Sequence, residues 1–210
     1  MFFDPRTDGM KPAPFNHSIF TSLVVPRPIG WISTIDIDGV VNLAPFSYFN
    51  AIAADPPCLM YCPNGPKKGT TEPKDSLSNA EMTKEFVFNL CSHDLREKLN
   101  KTARHEPRGE DEMEKAGLTP ARSVNVKPPR VADAPIALEC KYLRTVRLPR
   151  SSSGSENNMV LGQVIGIHVR DEVITKGTID ISKIRPIARL GGLDYSVLEP
   201  ENVFTMKRPD

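Results

Sequence analysis

Prolines are the feature that most restricts how this chain can fold. Twenty of its 210 residues are proline, and they are spread along the whole sequence. Because proline lacks a backbone N–H and its ring clashes with the preceding helical turn, frequent prolines interrupt helices. They favour short strands joined by shaped turns. The sequence therefore predicts a mainly β fold with few, short helices.

The strongest hairpin signal is Asp38-Gly39, a dipeptide that favours tight turns. It lies between two β-rich segments, GWISTIDI and VVNLAPFSYF. Runs rich in β-branched and aromatic residues predict further strands at 58–62, 86–91, 137–148 and 159–170. These strands are expected to pair mostly antiparallel, which predicts an all-β core.

Three short helices are predicted at the periphery of this core. Asp75-Ser76 offers residue types that cap a helix N-terminus, and the helix would run to about Lys84. Ser92 is a second candidate cap, before the segment LREKLNKTA. The third helix is predicted over 110–117, where Gly117 would end it in the left-handed conformation that suits glycine.

Length and charge indicate one globular domain over residues 1–210, with its core at about 20–195. The 27 Lys and Arg residues balance 26 Asp and Glu residues, and the net charge is +1. Neither nucleic acid nor an anionic membrane is therefore expected as a partner. The sequence has no apolar run of about 18 residues and no signal-peptide core at its start, so we expect a cytoplasmic protein without membrane contact.

The cysteines and histidines do not form a metal-binding pattern. The four cysteines lie too far apart for paired CxxC motifs, and buried free thiols are the simplest interpretation. If any pair of cysteines has a redox role, we expect it to be Cys58 and Cys62. The four histidines have no HxxxH or HxxE spacing, so no metal site is predicted. His168 lies on a predicted strand, where a structural role is more common than a role in a site.

One face of the predicted hairpin has a ligand-binding character. A two-residue Asp38-Gly39 turn would place Ser33 opposite Ala44 and bring both onto one face with Asn42. This small and polar patch would leave space for a flat ligand, and the segment 45–48 would border that space with amides, a hydroxyl and rings. The alternative is a proline-bent strand end in which the asparagine is satisfied by backbone.

A phosphate site is indicated at Lys74-Asp75-Ser76. The start of a helix carries unpaired amides and the positive end of the helix dipole, to which Lys74 adds a charge and Ser76 a hydroxyl donor. An ordinary helix start with a solvated lysine is the alternative. The basic loop 67–71 and Arg189, which precedes Gly-Gly, have the same ambiguity between anion binding and surface charge.

No dinucleotide fingerprint, phosphate loop or nucleophile elbow occurs in the sequence. A series of other segments does appear in a recognisable order: RPIGWIST, DG, NLAPFSYFN, DPP, KDS, EFVFNL, EKAGLTP, PIALEC, LGQVIGIHV and RLGGLDY. Read in this order from about Val25 to Tyr195, the chain resembles the flavin reductase-like family of FMN-binding split-barrel proteins.

The resemblance implies a six-stranded antiparallel Greek-key split barrel with short peripheral helices. It also implies a homodimer with FMN at or near the subunit interface. The family's ring-binding and phosphate-binding segments, together with two recurrent arginines, correspond here to Arg27, Ser33, Thr34, Asn42, Ala44, Pro45, Phe46, Ser47, Tyr48, Phe49, Asn50, Lys74, Ser76 and Arg189. Ser76 stands where the family more often has threonine, which keeps the hydroxyl. The segment 63–73 would supply either extra contacts or a lid.

The resemblance further implies an oxidoreductase, an NAD(P)H-dependent flavin reductase that transfers hydride from nicotinamide to FMN. Such a protein can supply reduced flavin to a monooxygenase partner. The alternative is an FMN-binding electron-transfer protein of the flavoredoxin kind, which takes electrons from a protein partner. Because the flavin itself performs the redox step, no general base is required and no catalytic residue is predicted.

Overall fold

The computed structural model describes residues 1–209. In the described chain the helices are short, as the prolines predict, and they are α1 Phe20–Leu23, α2 Asp75–Thr83, α3 Arg96–Lys101, α4 Glu112–Lys115 and α5 Ile181–Ile184. The strands are β1 Arg27–Pro28, β2 Gly30–Ile35, β3 Val41–Phe46, β4 Phe49–Ala54, β5 Pro57–Tyr61, β6 Glu85–Asn89, β7 Pro120–Ala121, β8 Arg130–Val131, β9 Ile136–Leu148, β10 Asn157–Val169, β11 Ile174–Thr175, β12 Thr178–Ile179, β13 Ile187–Arg189 and β14 Tyr195–Val197. None of the helices within residues 1–209 is both long enough and apolar enough to cross a bilayer.

The main sheet is antiparallel and contains seven strands in the order β3-β2-β6-β9-β10-β5-β4. The predicted all-β class is confirmed, but the predicted count of six strands is wrong. The run VVNLAPFSYF does not continue as one strand, because the chain turns at Ser47 and Tyr48 and separates β3 from β4.

The sheet must curl, because β3 and β4 are joined by only two residues yet lie at opposite edges of it. Gly30 permits this close approach, since a Cβ atom at that position would collide with the Phe49 ring. The Phe49 ring in turn stacks on Phe88, with ring centroids 4.6 Å apart. The result is the split barrel that the resemblance implies.

The two larger apolar clusters of the described chain hold the barrel together. The inner cluster is built on the aromatic and aliphatic side chains Ile32, Phe46, Leu59, Tyr61, Leu77, Phe86 and Val160. The second cluster packs helices α3 and α4 against the outer face of β2 and β3, around the fully buried Trp31. The Trp31 indole N–H donates to Thr102 Oγ1 at 2.9 Å, which fixes the end of α3 against the sheet.

The hairpin turn is longer than predicted. Asp36 N–H donates to the Val40 carbonyl, and the Asp36 side chain accepts hydrogen bonds from the backbone N–H groups of Asp38 and Val40. Gly39 adopts φ +91°, which a glycine tolerates without strain. The loop between the strands therefore contains three residues in place of two, and the pairing shifts by one position.

This shift corrects the predicted face of the hairpin. Ser33 pairs with Leu43, whereas Thr34 pairs with Asn42. Because successive strand residues point to opposite faces, Asn42 and Ala44 share a face with Thr34, and Ser33 points the other way. The prediction that Ser33 lies on one face with Asn42 and Ala44 is wrong.

The remaining predicted elements are close to the observed ones. Strands β5, β6, β9 and β10 occupy the predicted segments to within a few residues. Helix α4 is capped by the Asp111 side chain, and Gly117 follows it with φ +66°, as predicted. Helix α2 differs at its start, where Lys74 is the N-cap and neither Asp75 nor Ser76 caps with its side chain. Ser92 precedes a 3-10 turn that leads into α3 and makes no side-chain cap bond.

Candidate functional site

A cavity of about 500 Å³ opens beside the outer edge strand β3. Its walls are β3, the start of α2, the loop 67–72 and the loop 102–108. This volume lies in the range of small-molecule and cofactor sites. Of the residues predicted from the sequence, the structure brings together at this cavity Asn42, Ala44, Pro45, Phe46, Lys74 and Ser76.

One end of the cavity has the features of an anion site. Ser76, in the first turn of α2, is 2% exposed, and its hydroxyl has no hydrogen-bond partner. The hydroxyl of the buried Tyr61 donates to the Ser76 carbonyl at 2.8 Å and holds this turn in place. Because the first amides of a helix lack intrahelical acceptors, an anion here would meet several donors at once.

Lys74 strengthens this anion site. Its ammonium group lies 5.7 Å from the centroid of the Phe46 ring, at the wall of the cavity. Burial lowers the pKa of Lys74, because a partly desolvated ammonium is less stable when it is charged. A bound anion would compensate for this lost hydration.

Next to the anion site, the cavity has an apolar wall formed by Ala44, Pro45 and Phe46. The Phe46 ring is fixed by the Tyr61 ring, with centroids 5.2 Å apart. Asn42 beside this wall donates to Thr34 Oγ1 at 3.2 Å. Thr34 therefore lies behind the cavity wall and supports Asn42.

Several predicted residues do not line this cavity. Ser33 donates to the Pro129 carbonyl at 2.6 Å on the opposite face of the sheet. The segment from Ser47 to Asn50 leads into β4, where the side chains are mostly exposed. Within a single chain, Ser33 therefore has a structural role, and the segment 47–50 lies away from the cavity.

The two predicted arginines also lie elsewhere. The buried Arg27 donates to the carbonyls of Thr21, Val24 and Leu190, so it fastens the segment before β1. Arg189 contacts the Tyr195 hydroxyl and the Gly192 carbonyl. His168 Nε2–H donates to Glu139 Oε1 at 2.5 Å and does not line the cavity, which agrees with its structural interpretation.

Sequence reasoning missed one wall of the cavity, the loop 102–108 with sequence TARHEPR. Thr102 anchors this loop through its bond to Trp31, and Arg104, His105 and Arg108 face the same space. A concentration of basic residues between two short helices was the available signal. Lys67 and Lys68, for which the sequence left anion binding and surface charge open, also line the cavity.

Four carboxylates line the same cavity, and two of them are Asp75 and Glu112. Asp75 accepts from Lys67 Nζ at 2.5 Å, and Arg108 Nε lies 3.2 Å from its other oxygen. Glu112, at the start of α4, accepts from Leu43 N–H at 3.0 Å. Burial raises the pKa of Glu112 to about 7, and the nearby Asp75 and Asp111 carboxylates add to this effect while the Leu43 bond opposes it. The cavity thus contains a carboxyl group that is partly protonated near neutral pH.

A curled antiparallel barrel beside a cavity that combines a helix N-terminus, a lysine and an apolar wall has the features of a cofactor-binding protein. Residues 22–182 match the model of the flavin reductase like domain. The chain therefore belongs to the flavin reductase-like family, and the resemblance found in the sequence is confirmed.

Individual relatives agree with this assignment. An uncharacterised protein from Aquifex aeolicus is 39% identical over 180 residues, covering 85% of this chain and 88% of the relative. The structure is similar to nitrilotriacetate monooxygenase component B from Bacillus cereus, with a TM-score of 0.86, 31% identity and 98% of each chain covered. A split-barrel-domain protein from Shewanella frigidimarina, at 21% identity, shares the fold with a TM-score of 0.77 over 100% of this chain and 99% of that one.

Family membership makes the chain a flavin-related oxidoreductase with a flavin cofactor. The residues present fit such a cofactor, because the unpartnered Ser76 hydroxyl suits a phosphate and the wall formed by 44–46 suits a planar ring.

Proposed function

We propose that the chain is an NAD(P)H-dependent flavin reductase that holds FMN in the cavity beside β3. The observation that carries this proposal is the buried, unpartnered hydroxyl of Ser76, which lies beside Lys74 at a helix N-terminus and shares its cavity with an apolar wall. When bound, the flavin supplies the redox chemistry by accepting hydride from a reduced nicotinamide and passing electrons on.

The residues of this chain bind and orient the flavin. Lys74, the Ser76 hydroxyl and the first amides of α2 would hold the phosphate. Ala44, Pro45 and Phe46 would cover one face of the ring and exclude water from it. The loops 67–72 and 102–108 line the rest of the cavity and would cover the ligand. We assign no catalytic residue, because hydride transfer between nicotinamide and flavin needs no protein acid or base.

The proposal is tested by the absorbance of the purified protein and by its oxidation of NADH and NADPH, each with and without added FMN. We expect oxidation that depends on FMN. A yellow protein that oxidises neither nucleotide would contradict the reductase and would favour the electron-transfer alternative.

A separate monooxygenase is the proposed consumer of the reduced flavin, since the similar Bacillus cereus protein is a monooxygenase component.

The phosphate assignment predicts a selective loss of FMN. Replacing Lys74 and Ser76 together by alanine should raise the dissociation constant for FMN by at least about tenfold, because two donors to a charged group are removed. Riboflavin, which lacks the phosphate, should change by less than about twofold on the same reasoning. Quenching of flavin fluorescence measures both dissociation constants.

The control for this variant is Lys68→Ala, which removes a positive charge from the exposed rim of the same cavity. It should weaken FMN only slightly, since solvent screens an exposed charge. Equal losses of FMN and riboflavin in the double variant would refute the phosphate site.

We also propose that the chain forms a homodimer through β4. This strand lies at the edge of the main sheet, and its residues are mostly exposed, with Ile52 50% exposed. An exposed apolar edge strand is a surface that proteins normally cover. Sedimentation velocity of the purified chain should show a dimer, and a monomer at micromolar concentration would contradict the proposal.

A further inference from the structure

Hydrogen-bonding groups without partners are rare in the part of the chain that the structure describes. Three buried side-chain atoms within residues 1–209 have none, namely Arg27 Nε, Asp75 Oδ1 and Ser76 Oγ. Two of them belong to adjacent residues at the start of α2, and both residues line the cavity. Because an unsatisfied buried polar group is costly, a pair of them at one cavity indicates that a ligand completes their bonding.

The two oxygens of Asp75 differ in their surroundings. Oδ2 accepts a hydrogen bond from Lys67 Nζ at 2.5 Å, so the carboxylate is held in position from one side. Oδ1 lies 3.2 Å from Arg108 Nε, but this contact is an ion pair without the alignment of a hydrogen bond. Oδ1 therefore has a neighbouring charge and no donor.

Arg108 covers Oδ1 in a way that a ligand can displace. Its side chain is 48% exposed, it comes from the loop 102–108 that lines the cavity, and it donates a long, exposed hydrogen bond of 3.4 Å to Ser78 Oγ. A long, half-exposed guanidinium moves at low cost, whereas the Lys67 pair on Oδ2 is largely shielded from solvent. A ligand group can reach Oδ1 once Arg108 moves aside, and Arg108 would remain available to a nearby anion.

The chemistry of Oδ1 restricts what it can bind. A carboxylate oxygen only accepts hydrogen bonds, so the ligand group must be a donor. A fully ionised phosphate oxygen cannot serve, but a hydroxyl can. Asp75 lies between Lys74 and Ser76, which would hold the phosphate, and it shares the cavity with the ring-binding wall at 44–46. In a flavin nucleotide, the ring and the phosphate are joined by a polyol, a carbon chain that carries hydroxyl groups.

We propose that Asp75 Oδ1 accepts a hydrogen bond from a hydroxyl of the flavin's polyol chain and so selects ligands that carry this chain. The inference rests on the proposed flavin site and adds a binding residue to it. Asp75 would act on FMN and riboflavin alike, whereas Lys74 and Ser76 would distinguish the two by the phosphate. Lys67 is a positioning residue, because its ammonium group pairs with Oδ2 and orients the carboxylate.

The test compares three flavins that differ in one part each: FMN, riboflavin without the phosphate, and lumiflavin without the polyol. Asp75→Ala should weaken riboflavin by about tenfold, the loss expected for a hydrogen bond to a charged group. Lumiflavin should change by less than about twofold, since it has no hydroxyl to donate. The affinity for FMN should fall by less than the affinity for riboflavin, because the variant also removes a carboxylate that repels the phosphate. Fluorescence quenching measures each dissociation constant without turnover.

Two further variants separate the hydrogen bond from simple disorder of the site. Lys67→Ala breaks the ion pair but leaves the acceptor, so riboflavin should bind more tightly to it than to Asp75→Ala. Asp75→Asn keeps an acceptor without the charge and should fall between wild type and Asp75→Ala. Unchanged riboflavin affinity in Asp75→Ala, or an equal loss in Lys67→Ala, would overturn the inference. If the wild-type protein bound none of the three flavins, the proposed flavin site itself would be wrong.

Discussion

Replacing Glu139 by glutamine is expected to lower the free energy of unfolding by about 3 kcal/mol, because a buried acceptor with charged-group hydrogen bonds is lost. Glu139 lies on β9, and its side chain is 0% exposed. Its Oε1 accepts from Val124 N–H at 2.7 Å and contacts His168 Nε2 at 2.5 Å, while Oε2 accepts from Asn125 N–H at 2.6 Å.

Both oxygens of Glu139 therefore face backbone N–H groups. Burial alone would raise the pKa of Glu139, but the hydrogen bonds from Val124, His168 and Asn125 outweigh it and hold the pKa below its usual value. Glutamine keeps the shape of the side chain but replaces one oxygen by an NH2 group. That group would point at an N–H donor, so at least one of the Val124 and Asn125 N–H groups would lose its acceptor.

Thermal or urea unfolding measures this effect, and for a chain of this length about 3 kcal/mol corresponds to a decrease in Tm of roughly 10 °C. Glu156→Gln is the matched control, because Glu156 is half-exposed and pairs with Arg150 at the surface. That control should change stability by less than about 0.5 kcal/mol. A Glu139 variant as stable as the control would show that the segment 124–125 does not depend on this carboxylate.

The hairpin illustrates how far the sequence predicts the fold. Alternating residues and the Asp-Gly pair were enough to predict β2 and β3. They were not enough to predict the turn length, because the deciding hydrogen bonds come from the Asp36 side chain to Asp38 and Val40. A slip of one residue exchanges the faces of a strand, so this small error placed Ser33 on the wrong side.

In the candidate site, too, the features set by neighbouring residues could be predicted from the sequence, whereas those set by contacts between distant residues could not. The position of Lys74 and Ser76 at the start of α2 could be predicted because neighbouring residues within one turn define a helix start, and both residues line the cavity. The loop 102–108 could not, because its position depends on the bond between Trp31 and Thr102, which are 71 residues apart in the chain. Glu112 reaches the cavity for a similar reason, through its bond to Leu43 on another element.

Glu112 is also expected to make the folded chain less stable as the pH rises from about 4.5 to about 7. Its side chain is buried, and in the folded state its pKa is raised to about 7 from a usual value of 4.5. Over this range the folded state keeps a proton that the unfolded state has already released. Stability therefore falls as the pH rises, by about 3 kcal/mol in total if this group acts alone.

Glu112→Gln should remove this dependence, because the amide is neutral at every pH and its oxygen can still accept from Leu43 N–H. Urea unfolding at about pH 4 should give similar stabilities for variant and wild type, whereas at about pH 8 the variant should be more stable by about 3 kcal/mol. Glu106→Gln is the control in the same cavity. The hydrogen bond from Lys115 lowers the pKa of Glu106, so its contribution is present at neutral pH and lost as the pH falls. At neutral pH the two variants should therefore shift the free energy of unfolding in opposite directions. If the free energy of unfolding of Glu112→Gln changed with pH in the same way as that of the wild type, the Glu112 carboxyl would titrate in the folded chain as it does in the unfolded chain.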